Sequence, residues 1–316
     1  MPQPTAQSVH IDAPLTNLSV AFLQSQSRFI ASRVFPVVPV DKQSDKYFTF
    51  DRNNFFMDQM RVRAPGTESA GSGYTVSNDS YSCDVWALHQ DVPDQVRQNT
   101  DMPLNPDRNA TQFMTQQALL RLEKQWASDY FKSGVWTTDL TPASLWSDYT
   151  SSDPIGDIRT GVTTILQSTG FLPNRLVLGF QVYQKLQDHP DIIDRIKYSG
   201  QRVATADLMA ELFEVEQVLV AQAVNATNLE GETAAYDFIA GKSALLCYAA
   251  PNAGLEVPTA GYTFMWRGVS EGLGANVAVS RFRMEHLKSD RLEIEAAWDN
   301  KVVSADLGYM FNSVIA

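Results

Sequence analysis

Residues 105–131 read NPDRNATQFMTQQALLRLEKQWASDYF. Asn105 has a side-chain oxygen suited to cap a helix N-terminus. Pro106 falls at the first helical position, where a missing N–H is no loss, and Asp107 sets negative charge in the first turn. From 109 to 131 there is no proline or glycine, and Gly134 follows as a stop. Ala110, Phe113, Met114, Ala118, Leu122, Trp126 and Tyr130 recur at spacings of three and four, which marks one apolar face. The spacing predicts a helix about 40 Å long, a beam as well as a core element.

The sequence before this helix reads differently. Val20-Ala21-Phe22-Leu23 and Phe29-Ile30 fit a short amphipathic helix. Phe35-Pro36-Val37-Val38-Pro39-Val40 follows, and its two prolines favour an extended strap. Such a strap cannot bury its own side chains, so it must lie across its own subunit or a neighbour. KYFTF (46–50) reads as a strand, with YSCDVWALH (81–89) as its candidate partner. Between them runs a long excursion that includes RVRAPGTESAGSGYTV (61–76), soft at Ala70-Gly71-Ser72-Gly73. Connections of this length are uncommon inside compact domains and are usually functional or disordered.

After the helix, Trp-, Thr- and Ser-rich turns over 136–153 read as a linker into a mixed region. Helices are expected over 157–169, in the second half of 173–189, over the HPDIIDRIKY segment and at the start of 204–224. Strands are expected at Leu176–Gly179, at the end of 204–224, at Ala244–Tyr248 and within 281–311, where Leu292, Ile294 and Ala296 alternate. The fold class is therefore α+β.

Bulk properties narrow the function. The chain has 316 residues, 44% hydrophobic and 19% charged, enough for a large core. Its 36 acids outnumber 25 bases for a net charge of -11, which disfavours a sequence reader of nucleic acid. Two distant cysteines, Cys83 and Cys247, make no disulfide framework and fit synthesis in a reducing compartment. No signal peptide is apparent, and no apolar run approaches the roughly 20 residues of a membrane span.

Tests for chemistry fail one after another. Gly241-Lys242-Ser243 resembles half of a phosphate-binding loop, but the required earlier glycine is Tyr236. Gly71-Ser72-Gly73 lacks its third glycine, since position 76 is Val76. Four histidines are scattered, and the densest group, Asp188-His189-Pro190-Asp191 with Asp194, reads more simply as helix capping. Cys83 and His89 would lie roughly 20 Å apart on an extended strand, too far for thiol activation. Phe55, Phe56, Arg61, Arg63 and Tyr74 could stack on a nucleic-acid strand, yet in an acidic chain protein contact fits better. No catalytic, cofactor-binding or metal-binding residue is expected. Reaching elements are abundant, and that imbalance points toward assembly.

The order of parts resembles the major capsid proteins of tailed bacteriophages, the Hong Kong 97-like fold. RVFPVVPVDKQSDKYFTFDRNNFF (33–56) and RAPGTESAG (63–71) are similar to the arm and extended loop of that family. The helix at 105–131 is similar to its spine helix. PNRLVLGFQVYQKLQDHPDIIDRIKY and AELFEVEQVLVAQAV are similar to its axial domain, and DRLEIEAAWDNKVVSADLGYMF to its closing strands.

The resemblance implies an N-terminal arm (1–44), an extended loop (45–92) and a peripheral domain (93–155) with its spine helix at about 106–132. An axial domain (156–284) and closing strands (285–316) complete the chain. It implies hexamers and pentamers of this chain, an icosahedral shell, and double-stranded DNA enclosed without sequence reading. Arg61, Arg63, Glu68, Phe55, Phe56, Phe35 and Val37 are the expected inter-subunit contacts. A portal, a separate scaffolding protein and a decoration protein are the expected partners, with synthesis in the host bacterial cytoplasm and residence in the virion. No residue matches the family's isopeptide cross-link. A nanocompartment shell of encapsulin type and a cytosolic α/β enzyme are the alternatives.

Overall fold

The computed structural model describes residues 24–100, 104–197, 204–254, 257–270 and 278–316. Of the helix expected over Val20–Leu23 and Phe29-Ile30, residues up to 23 lie outside the described residues, and the described part is a single 3-10 turn, Gln26–Arg28, with Ile30 as the N-cap of the helix Ala31–Val34. The first half of the chain gives α1 (Ala31–Val34), β1 (Val37–Val40), β2 (Ser44–Phe50), α2 (Arg52–Phe56), β3 (Val76–Ser82), β4 (Asp84–Pro93), α3 (Asp94–Gln98) and the spine helix α4 (Pro106–Tyr130). β5 (Thr138–Leu140), α5 (Pro154–Thr169), β6 (Arg175–Gly179), α6 (Phe180–Gln187), α7 (Pro190–Ile196), α8 (Ala206–Leu212) and β7 (Gln217–Ala221) follow. The remainder is β8 (Val224–Ala226), β9 (Tyr236–Phe238), β10 (Ala244–Cys247), β11 (Gly261–Trp266), α9 (Arg267–Ser270), β12 (Ala278–Met284), β13 (Ser289–Val302) and β14 (Gly308–Phe311).

The spine helix begins as its sequence dictates. Asn105 Oδ1 accepts from the Arg108 N–H at 3.1 Å. Ala110, Met114, Trp126 and Tyr130 are buried, and Ala118 and Leu122 pack partly buried along the same row. Phe113 departs from expectation, at 45% exposed. One residue is about 100° of helix rotation, so Phe113 sits off the row of four-residue steps that faces the sheet. Glu123, by contrast, is only 1% exposed.

Two sheets organise the chain. In the first, β13 is central and pairs with β4 over Ser289–Trp298. Its other side pairs with β12 and then β11, and β1 lies parallel outside β11. The spine helix packs on this sheet through Met114 and Ala110 against Leu292 and Ile294. The second sheet runs β5-β14-β10-β6-β7. β6 and β7 are parallel, as a crossover through helices requires, whereas β10 is antiparallel to both neighbours. Helix α5 covers it, with Gly161 close against Leu246 and Phe311. Thus β11 and β12, from the segment expected to be axial, pair with β13 instead.

The sheets join where β13 turns into β14. Val303 and Ser304 donate to Ala260 O, and Tyr248 N–H donates to Leu307 O at 2.9 Å. Tyr130 Oη at the end of the spine helix donates to Tyr262 O at 2.7 Å. Gly308 is needed here, because a Cβ would meet the Trp136 ring at 2.1 Å. The core of Trp126, Trp136, Trp146 and Phe311 is continuous across this joint.

The N-terminal strap finds its surface on its own subunit. Phe35 is buried with its ring 4.6 Å from Tyr130 and 6.2 Å from Trp136. Glu123 Oε2 accepts from the N–H groups of Ile30 and Ala31 at 3.0 and 2.8 Å, so the buried acid serves as a cap for α1. Arg175 donates to Arg33 O at 2.7 Å, and Gln24 both donates to Val224 O and accepts from Val224 N–H.

Candidate assembly surface

The extended loop is rooted in the first sheet. β2 and β3 pair antiparallel from Ser44↔Ser82 to Phe50↔Val76. The strand expected over 81–89 is therefore two strands. Residues up to Ser82 serve the loop, and Asp84 onward belongs to the body sheet. The exposure pattern records the change of sheet: Asp84 and Val85 are both exposed, which breaks the alternation between them. The root is stapled by Tyr81, stacked on Phe264 at 4.6 Å, and by Tyr47 at 5.5 Å from the same ring. Ser82 N–H donates to Asp299 Oδ2 at 2.8 Å.

Beyond the root the loop carries apolar groups into solvent. Phe50, Phe55 and Tyr74 form a triad with ring centroids 6.0–6.2 Å apart, and all three are exposed. Met57, Met60 and Val62 are more exposed still, with Val62 fully so. Asp51 caps α2 by accepting from Asn53 N–H at 3.0 Å. Thr67 N–H donates to Ala64 O across a turn in which Gly66 takes a φ of +78°. Arg63 Nε donates to Thr67 O, while Arg61 and Glu68 are exposed.

The seven expected contact residues thus separate. Phe55, Phe56, Arg61, Arg63 and Glu68 lie on the exposed loop. Val37 is half-buried in β1. Phe35 is corrected: it is enclosed by its own subunit and offers no side-chain surface to a neighbour. Phe50, Met57, Met60 and Val62 were not singled out from the sequence. Their signal was apolar side chains recurring in a glycine-rich polar stretch that has no core to receive them.

Groups capable of chemistry are quenched by their surroundings. Burial pushes the Cys83 thiol up to about 11 and the Cys247 thiol up to about 12. Ser152 Oγ lies 3.0 Å from His189 Nε2, and Asp191 is near His189 Nδ1, an arrangement close to a nucleophile triad. The hydrogen bonds run the wrong way for catalysis. Asp191 N–H donates to Nδ1, so the ring proton sits on Nε2 and Ser152 Oγ must accept it. The hydroxyl then donates to Asp148 O. His189 is a helix cap with no proton-accepting nitrogen left for Ser152, and burial holds its pKa low. Among the described residues no group of three metal-ligating side chains comes together, and no described helix is long and apolar enough to cross a membrane.

Comparisons with known proteins agree with this geometry. The chain is 27% identical over 318 residues to the major capsid protein of Burkholderia phage BcepMu, covering 96% of each chain. It is 27% identical over 221 residues to the major capsid protein of Pseudomonas phage JBD67, covering 67% of this chain and 69% of the relative. A phage-related protein from Bordetella bronchiseptica RB50 superposes with a TM-score of 0.70 at 24% identity, over 92% of this chain and 93% of the other. The SrpI encapsulin of Synechococcus elongatus superposes at 0.59 with 10% identity over 96% and 95%, which reflects the fold alone. No family model matches the sequence.

Proposed function

We propose, from the premise that this chain is a shell-forming major capsid protein of the phage Hong Kong 97-like family, that its copies join as hexamers and pentamers into an icosahedral shell around double-stranded DNA. The observation that carries this reading is the loop. It is firmly rooted in its own sheet, yet it holds Phe50, Phe55, Tyr74, Met57, Met60 and Val62 in solvent. Exposed apolar groups in this number mark a surface that another chain covers.

Each loop–neighbour contact yields roughly 25 cal/mol per Å² of apolar area, and much of that is offset by ordering the loop. Stability then comes from repetition around the shell. The division into arm (1–44), extended loop (45–92), peripheral (93–155), axial (156–284) and closing (285–316) regions is part of this proposal, with β4, β11 and β12 assigned to the spine-helix sheet because they pair with β13. The spine-helix sheet fits the peripheral part, and the β10 sheet fits the axial part. A portal, a separate scaffolding protein and a decoration protein are the partners this role carries, and host cytoplasm followed by the virion is its location. The phage relatives favour enclosed DNA over enclosed cargo enzymes.

The test is the mass and image of the purified protein. Closed particles or hexameric rings by light scattering and electron microscopy are expected. A monodisperse monomer across concentration, with scaffolding protein supplied, would overturn the reading. DNA in native particles supports the phage role, and packaged enzyme would assign the nanocompartment role instead.

A further inference from the structure

The distal end of the extended loop is free, but its small helix is not. Arg52 Nη1 lies 2.7 Å from Asp306 Oδ2, a contact that joins residues 254 positions apart. Asp306 belongs to the short turn Ala305–Leu307, which carries the chain from β13 of the first sheet to β14 of the second. That turn is tied to the second sheet and its approach. Thr137 N–H donates to Ala305 O at 3.3 Å and Tyr248 N–H donates to Leu307 O. Beside it, a Cβ on Gly170 would meet the Phe56 ring at 3.6 Å, so the same helix also rests on the C-terminal end of α5, which covers the second sheet.

The loop is therefore held at two places. Its root, through Tyr81, Tyr47 and Ser82, is fixed to β11 and β13. Its small helix is fixed to the turn between the sheets and to α5. We propose that Arg52–Asp306 is a releasable latch that holds the extended loop in one direction against its own subunit. The latch rests on the shell-protein reading for its purpose, which is to let one subunit present its loop at the different angles of non-identical neighbours.

Magnitude supports a latch over a permanent brace. Both side chains are more than or about a third exposed, at 39% and 33%. Exposed pairs of this kind bias a population by about two- to fivefold and do no more. Phe56 remains 60% exposed even where it touches Gly170. The loop is thus poised in one direction and free to leave it.

The experiment uses the full chain, unassembled and with nitroxide labels at Ser69→Cys and Thr163→Cys. Cys83 and Cys247 are buried and stay unlabelled. Spin–spin distances between the loop and α5 are recorded for the parent, for Arg52→Gln, for Asp306→Asn and for the exchanged pair Arg52→Asp with Asp306→Arg. A second, longer distance should gain about two- to fivefold in population in each single variant and fall back in the exchanged pair. Unchanged distances in both single variants would overturn the latch, as would an exchanged pair that behaves like the singles. Shell formation is scored separately. Failure of the parent to form particles counts against the capsid reading, whereas unchanged distances count against the latch alone.

Discussion

Phe35 and Phe55 are twenty residues apart in the same N-terminal region, and both look like side chains in search of a partner. Phe35 is enclosed between Tyr130 and Trp136, whereas Phe55 is 62% exposed with only Phe50 and Tyr74 beside it. The difference lies in what ties down the backbone. The strap is fastened by Gln24, Glu123 and Arg175 and continues into β1, so its apolar groups are pressed into the body. The loop is fastened at its root and at Arg52, and between Met57 and Tyr74 no described hydrogen bond reaches the body. Apolar content therefore says that a partner exists, and backbone anchoring says whether it is the same chain or another.

Substitutions should separate the two regions, and the largest effect on subunit stability belongs to the body. Trp126 is buried against Tyr130 and Phe131 where the strap, spine helix and sheets meet. Trp126→Ala should lower unfolding free energy by about 3–5 kcal/mol in a denaturant titration. A loss under about 1 kcal/mol would mean that the joint can collapse around the gap.

Next comes the strap's anchor. Burial pushes the Glu123 carboxyl up to about 7, against the pull of two backbone N–H donors. A folded-state pKa above the unfolded value means that the folded chain holds the proton more tightly. Stability should thus fall as pH rises from about 4.5 to about 7, by about 2–3 kcal/mol from this group. Glu123→Gln should remove that part of the slope. An unchanged slope in the variant would show that the strap does not depend on this acid.

The smallest effect on folding is expected in the loop, and there it is the contrast that matters. Reversing Arg61, Arg63 and Glu68 together should leave the unfolding midpoint of the subunit within about 0.5 kcal/mol of the parent. Particle yield should collapse. Normal yield would remove the charged tip from the interface.

The body was more legible than the surface. The spine helix could be read because Asn105-Pro106 and an uninterrupted run declare it, and β13 because Leu292, Ile294 and Ala296 alternate. The capping role of the His189 segment was legible for the same local reason. Phe113 was misplaced because a spacing of three or four admits more residues than one packed row holds. Glu123 was passed over because a lone acid on a helix normally faces water, and its partners lie more than 90 residues away in sequence. The split between β3 and β4 was hidden because both halves are strand-like, and only pairing with β13 divides them. Phe35 and Phe55 could not be told apart by any local pattern, since the tie points that distinguish them are distant in sequence.

Hydrogen exchange across residues 57–75, compared between free subunits and purified particles, bears most directly on the claim that a neighbouring copy covers the loop. These amides should exchange rapidly in the free subunit and become strongly protected in the particle, with little change in β6, β10 and β14. Rapid exchange of 57–75 in both states would contradict it, because the shell would then be held by some other surface.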